Sequence, residues 1–362
     1  MSESIKMNKR IIGLDILRIL LALMVICIHL IWGDKMLDSS ASIGDMDFFF
    51  VPLYALCYPA VNTYVLITGY FSYAKKRTMS QIVRSLLKLW LSLLFAQLIG
   101  YVLVLSMHLE SFSILVFVKH FFPLTRGIWW YMSVYFVLML ISPVLNGVLD
   151  QLSKRSYLIV IAVALFLCSI LPFFTNHLSV LGMNQGSGGL LWFIVLYLTG
   201  GGIFKYLSVN SRSGHFKPGL TAIGEYLLLT LTLSLSSYFL DRTGLAGYSF
   251  YSYNSIIVYG QAVMLFLAFR QINFKGNRVS NAISFLAGLS LAAYIYNCQE
   301  DIIKHLCLFI QPFNYAEGAP LVLLFFAYVL GIYLAAIAIE YLRRKLFSLG
   351  NLENRILDII QR

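Results

Sequence analysis

Residues 13–32 read GLDILRILLALMVICIHLIW, an apolar run interrupted only by Asp15, Arg18 and His29. A run of about 20 apolar residues is the length a helix needs to cross a bilayer. Lys6, Lys9 and Arg10 precede it, as in a secretory leader. The run nevertheless extends to Trp32, carries charge and shows no small-residue cleavage site, so it reads as a retained span. Runs of this kind recur along the chain. They predict helices at roughly 12–32, 48–71, 81–106, 128–148, 156–175, 189–207, 223–240, 254–271, 282–305 and 320–342. The seventh and eighth are diluted by Ser, Thr and Tyr.

The composition agrees. The 362 residues are 59% hydrophobic and 12% charged, whereas soluble domains carry about 25% charged residues. That excludes a water-soluble globule, a disordered chain, a collagen and a coiled coil. Barrel strands would show short alternating segments instead. The expected fold is therefore all-α, a polytopic membrane domain over residues 1–342 followed by a tail, 343–362. The tail sets Leu346, Leu349, Leu352, Ile356, Leu357 and Ile360 among basic residues, the pattern of an amphipathic helix on the inner leaflet. No internal repeat or low-complexity segment interrupts the pattern.

The net charge of +11 orients the spans. With the N-terminus inside, only Lys35, Lys119, Arg126, Arg242 and Lys304 of the 27 Lys and Arg lie outside. Arg18 lies within the membrane and the others all fall in cytoplasmic segments. This asymmetry is the positive-inside pattern of an even number of spans with both termini cytoplasmic. It accounts for the basic excess without nucleic acid. The five cysteines, Cys27, Cys57, Cys168, Cys298 and Cys307, lie in or beside apolar runs with no metal-ligand spacing. They read as packing residues rather than a disulfide framework or a metal site.

Arg18 and His29 are 11 residues apart, which is about 20° past three full helical turns and about 16 Å of axial rise. They share one face with Asp15, Ala22 and Val25. Such a stripe suits a helix turned toward a bundle interior or cavity. Two readings of Arg18 are open: Asp15, one turn away, neutralises it, or it binds a ligand. His29, near the exterior edge, is either a hydrogen-bonded interfacial histidine or a general base, since imidazole titrates near neutral pH.

An Arg, ten residues and a His in the first span, preceded by Leu14-Asp15, resemble the signature of the membrane-bound acyltransferase-3 family. VNTYVLITGYF (61–71) is similar to that family's second span, with Thr68 at a position usually held by Ser. WWYMSVYFVLMLISPVLN (129–146) resembles its Trp-rich fourth span, and LWFIVLYLTGG (191–201) and SLAAYIYN (290–297) resemble later ones. One departure stands out: Asn297 occupies the place of a histidine that commonly ends the ninth-span pattern.

The resemblance implies transfer of an acyl group, usually acetyl, from cytoplasmic acyl-CoA to a hydroxyl of a cell-surface carbohydrate at the plasma membrane. Acetyl-CoA is then a substrate, and no bound cofactor is expected. His29 would deprotonate the acceptor hydroxyl directly or carry the acyl group itself. Arg18 would line the donor's path. Lys75, Lys76, Arg77, Arg84 and Lys88 lie where CoA phosphates arrive, Arg84 being favoured by the resemblance; positive-inside anchoring is the other reading. Arg126, Trp129, Trp130 and Tyr131 are either an interfacial aromatic belt or a platform for a sugar ring. Glu300 and Asp301 are exposed loop carboxylates, orient His29, or bind acceptor hydroxyls. The competing class is a glycan exporter, for which buried polar residues also suit, although no inverted repeat supports it.

Tags at residues 1 and 362 are expected to resist an impermeant label in intact cells and to react after permeabilisation. Labelling of either tag in intact cells contradicts an even number of spans.

Overall fold

A computed structural model of the protein describes residues 10–33, 47–125, 127, 129–174, 189–207, 217–242, 250–272, 278–299, 301 and 316–349. The helices are α1 (Ile12–Gly33), α2 (Asp47–Cys57), α3 (Ala60–Lys75), α4 (Met79–Ser106), α5 (Ile114–Lys119), α6 (Trp130–Gln151), α7 (Lys154–Leu165), α8 (Leu171–Phe174), α9 (Leu190–Tyr206), α10 (Lys217–Arg242), α11 (Ile256–Arg270), α12 (Arg278–Leu289), α13 (Leu291–Asn297) and α14 (Gly318–Leu349). Every segment expected from hydropathy is helical among the described residues. Seven helical segments among the described residues are long and apolar enough to cross a membrane, and α9 and α11 are shorter apolar helices. The protein is an all-α, multi-pass membrane protein.

Three of the expected spans are irregular. A π-helical turn, Phe166–Ile170, joins α7 to α8. The ninth is interrupted at Ser290, and its helix ends at Asn297. The second breaks at Tyr58 and Pro59. Pro59 has no N–H to offer the carbonyl four residues earlier, and in hydrocarbon an orphaned carbonyl costs several kcal/mol. Other helices supply the missing donors: Gln261 Nε2 donates to the Ala55 carbonyl (3.1 Å), and the Tyr226 hydroxyl donates to that of Leu56 (2.5 Å). The last helix runs past residue 342 to Leu349. Its Arg343 is buried against Glu340 through two hydrogen bonds of 2.8 Å. The rest of the expected tail, 350–362, lies outside the described residues.

The chain forms two compact units. The first comprises residues 1–21, 55–77 and 141–288. There α3 packs on α9 and α11, α10 on α11, and α7 on α9. Glycines set the closest of these approaches: a Cβ on Gly69 would lie 2.1 Å from the Tyr197 carbonyl oxygen, and one on Gly200 2.2 Å from that of Leu66. Small residues give membrane helices this backbone contact where burial of apolar surface supplies no driving force. The Ser and Thr content that dilutes α10 is satisfied within it, since Thr230, Thr232 and Ser234 each donate to the carbonyl four residues back.

The second unit comprises residues 22–54, 78–140 and 289–362. α4 begins at a capping box, with Thr78 and Gln81 exchanging side-chain and backbone bonds. α13 packs on α14 and α4. The segment after α13 is seated by Gly100, whose missing Cβ leaves room for the Gln299 side chain.

Gly69→Ala places a methyl group against a backbone oxygen that cannot yield. It is expected to cost about 2 kcal/mol or more. Gly224→Ala, where nothing lies within 4 Å, is the control and is expected to leave the unfolding temperature in detergent unchanged.

Candidate active site

Two polar centres sit on α1, one in each unit. The first is organised by Asp15, a fully buried carboxylate. Its Oδ2 accepts from Arg10 Nε (2.5 Å) and Ser284 Oγ (2.9 Å), and its Oδ1 accepts from Arg18 Nη1 (3.0 Å). Arg10 also donates to the Ser284 carbonyl at 2.8 Å. The start of α1 is fixed here because Gly13 lets the chain touch α11: its N–H donates to the Ile272 carbonyl (3.1 Å), and a Cβ would meet the Phe269 oxygen.

Arg18 is therefore paired with Asp15, yet Asp15 serves two other donors as well. The guanidinium lies 5.0 Å above the Phe71 ring, and the side chain is 32% exposed. Beyond the Nη1 bond, it makes no hydrogen bond to a described residue. Tyr64 donates its hydroxyl to the Arg18 carbonyl at 2.8 Å. Tyr64, Thr68 and Phe71 fall on one face of α3 at helical spacing, so the GYF-type stretch adjoins Arg18 through that face.

The second centre is His29, which is only partly buried. The side-chain amide nitrogen of Asn297 lies 2.6 Å from Nδ1. Cys298 Sγ is 3.5 Å from Nδ1 and 3.9 Å from Nε2. The Tyr294 ring is 6.5 Å from the imidazole and makes an edge contact with Tyr131 at 5.7 Å; Tyr131 in turn stacks on Tyr135 at 6.0 Å. The structure thus brings His29, Tyr131 and the end of α13 together. Among the described residues, Nε2 faces no closer polar atom than the Cys298 sulphur.

The remaining expected residues separate. Trp129 is buried, with its indole donating to the Ile295 carbonyl (3.1 Å), so it fixes α13 and offers no face to a sugar. Trp130 is partly exposed and packs edge-on to Tyr131. Asp301 does not orient His29 in the way considered from sequence. Its Oδ2 is bonded by His120 Nε2 (3.1 Å) and Gln299 Nε2 (2.7 Å), inside the protein. Arg126 and Glu300 lie outside the described residues. Lys75, Lys76 and Arg77 are exposed at the end of α3, with Lys76 bound to Asp150 at 2.7 Å. Arg84 and Lys88 share one face of the first turns of α4, Arg84 exposed and Lys88 partly so.

This polar stripe on an apolar helix, with an arginine near its start and a histidine near its end, coincides with a family match. The chain matches the acyltransferase-domain family over residues 11–342. It belongs to the acyltransferase-3 family. None of the curated proteins and none of the solved structures compared with it matches. As an acyltransferase-3 protein it is a membrane acyltransferase.

Sequence reasoning missed four groups in this acyltransferase-3 chain. Arg10 was counted only as a cytoplasmic charge; its place just before an Asp-containing helix start was the available signal. Ser284, Tyr294 and Cys298 meet α1 from more than 260 residues away, and no spacing announces such contacts.

Asp15→Ala leaves two guanidinium groups at one site without a counter-charge. It is expected to destabilise the protein by about 3 kcal/mol, and more than Arg18→Leu does. Unfolding temperatures of the two variants in detergent decide this.

Proposed function

We propose that this protein is an O-acetyltransferase of the plasma membrane, moving acetyl from cytoplasmic acetyl-CoA to a hydroxyl of a cell-surface polysaccharide or its lipid-linked precursor. The observation that carries the reading is His29, partly accessible on α1, with its ring held at Nδ1 by the Asn297 side-chain amide and the Cys298 sulphur 3.9 Å from Nε2. A base needs one ring nitrogen fixed and the other open to the proton it takes.

The acceptor hydroxyl loses its proton to His29 as its oxygen attacks the thioester carbonyl. The carbon–sulphur bond then breaks, and the proton passes to the departing CoA thiolate. A route through an acyl-histidine uses the same nitrogen. Arg18 serves the donor. Its unengaged N–H groups and permanent charge suit a phosphate or a pantetheine carbonyl, and a planar fork binds these better than an ammonium does. Arg77, Arg84 and Lys88 take the CoA phosphates; Lys76 joins them only by sharing its charge with Asp150. Tyr131 and Trp130 line the acceptor side. Trp129 and Asp301 act from within by holding α13 and the segment after it, and Arg126 and Glu300 belong to the acceptor side by sequence position.

The test is the O-acetyl content of surface glycan, read by NMR, in cells lacking the gene and complemented with wild type or His29→Ala. Wild type is expected to restore O-acetyl groups, and His29→Ala to abolish them at normal protein level. Lost glycan export with unchanged O-acetyl content supports the exporter instead. For Arg18, heat protection by acetyl-CoA is the readout, because a ligand that binds the native state raises its stability. Arg18→Lys is expected to fold normally and lose at least half of that protection. Full protection in Arg18→Lys returns this arginine to a purely structural pairing with Asp15.

A further inference from the structure

The contact between His29 and Asn297 has a chemical consequence that depends on the partner being an amide. The two residues are 268 positions apart, and the contact joins the second half of α1 to the last residue of α13 within one unit. Asn297 directs its Nδ2 group at Nδ1 from 2.6 Å. An N–H pointing at Nδ1 makes that nitrogen an acceptor and puts the ring proton on Nε2. In that tautomer His29 donates a proton at Nε2 and cannot take one there.

A half-turn of the amide about its Cβ–Cγ bond presents Oδ1 instead. That orientation selects the tautomer with the proton on Nδ1, whose N–H donates a hydrogen bond to Oδ1 and leaves Nε2 as the free base. Asparagine is nearly isosteric in its two orientations, so either tautomer keeps a hydrogen bond with the ring in place. A carboxylate in the same position accepts only, and it would stabilise the protonated ring electrostatically.

We propose that Asn297 is the positioning residue of His29: its amide holds the ring, and with Oδ1 toward Nδ1 it keeps Nε2 available as base and, once protonated, as acid. The inference rests on the reading of His29 as the proton-handling group of acetyl transfer. The hydroxyl's proton moves to Nε2 while Oδ1 accepts from Nδ1, and it leaves Nε2 for the CoA thiolate, so no proton is gained or lost over the cycle. Other described groups against the imidazole come from the same segment: the Cys298 thiol and the Tyr294 ring. Neither carries a fixed charge. The amide makes the shorter contact, 2.6 Å against 3.5 Å for the thiol sulphur, and so bears most on which nitrogen holds the proton.

The experiment measures acetyl transfer by the full-length protein in proteoliposomes, as kcat and KM for acetyl-CoA across pH. His29→Ala runs in parallel, and unfolding temperatures report folding. Asn297→Ala is expected to lower kcat by about 100-fold, as loss of an acid–base contribution does, with KM within about twofold of wild type. Asn297→Asp keeps the contact but favours the charged ring, so the acidic limb of kcat/KM is expected to move up by about one pH unit. Asn297→Ala within twofold of wild type, or Asn297→Asp with a wild-type pH profile, overturns the proposal. Should Asn297→Ala fail to fold, the profile of Asn297→Asp decides alone. Inactive His29→Ala beside normal Asn297 variants removes only the positioning role. Active His29→Ala removes the base itself, and the proposal with it.

Discussion

A carbonyl, an amide or a guanidinium surrounded by hydrocarbon has no water to turn to, and its partner must come from the protein. Most of the tertiary contacts described above answer to that constraint. Asp15, itself buried, gathers two arginines and a serine around the start of α1. The indole of Trp192 donates to Asn62 Oδ1 at 3.2 Å, and Asn62 passes a bond of 2.7 Å to the Tyr253 carbonyl. Asn146 accepts from the Tyr197 hydroxyl at 3.0 Å, and Lys205 closes three carbonyls at the end of α6 and the turn after it. Hydrophobic burial cannot choose among helix pairings when lipid is equally apolar. Directional bonds and glycine contacts make that choice.

The same logic separates what was legible in sequence from what was not. Helix positions were legible because twenty-residue apolar runs report on the bilayer itself, and every expected segment is helical among the described residues. The relation of Asp15 to Arg18 was legible too, being set by one turn of helix. The break at Pro59 was not foreseen. Proline at that place signals a break or a kink, and the choice depends on whether distant donors such as Gln261 and Tyr226 stand ready. Likewise Trp129 looks like an interfacial tryptophan by sequence. Only the carbonyl of Ile295, 166 residues away, makes it an interior strut.

The candidate site shows this division most clearly. His29 and Arg18 stood out because ionisable residues in an apolar helix need a reason. Their partners did not stand out. Asn297 drew notice only as a departure from the family's pattern, and its neighbour Cys298 as a packing thiol. Both are carried to His29 by the segment that follows them, where Gln299 settles over Gly100 and binds Asp301, and Asp301 is bound by His120. His120 is held in turn by the Val116 carbonyl at 2.6 Å and lies 4.5 Å from the Tyr101 ring. The seat of the segment beside His29 thus rests on a buried polar chain.

The helix break at Pro59 also has a consequence in time. Its freed carbonyls, on Ala55 and Leu56, are capped by Tyr226 on α10 and Gln261 on α11. Synthesis runs from the N-terminus, so α2 and α3 leave the ribosome well before either cap exists. The two caps on the second hydrophobic segment therefore close only after the eighth has been made, which ties an early segment to late translation.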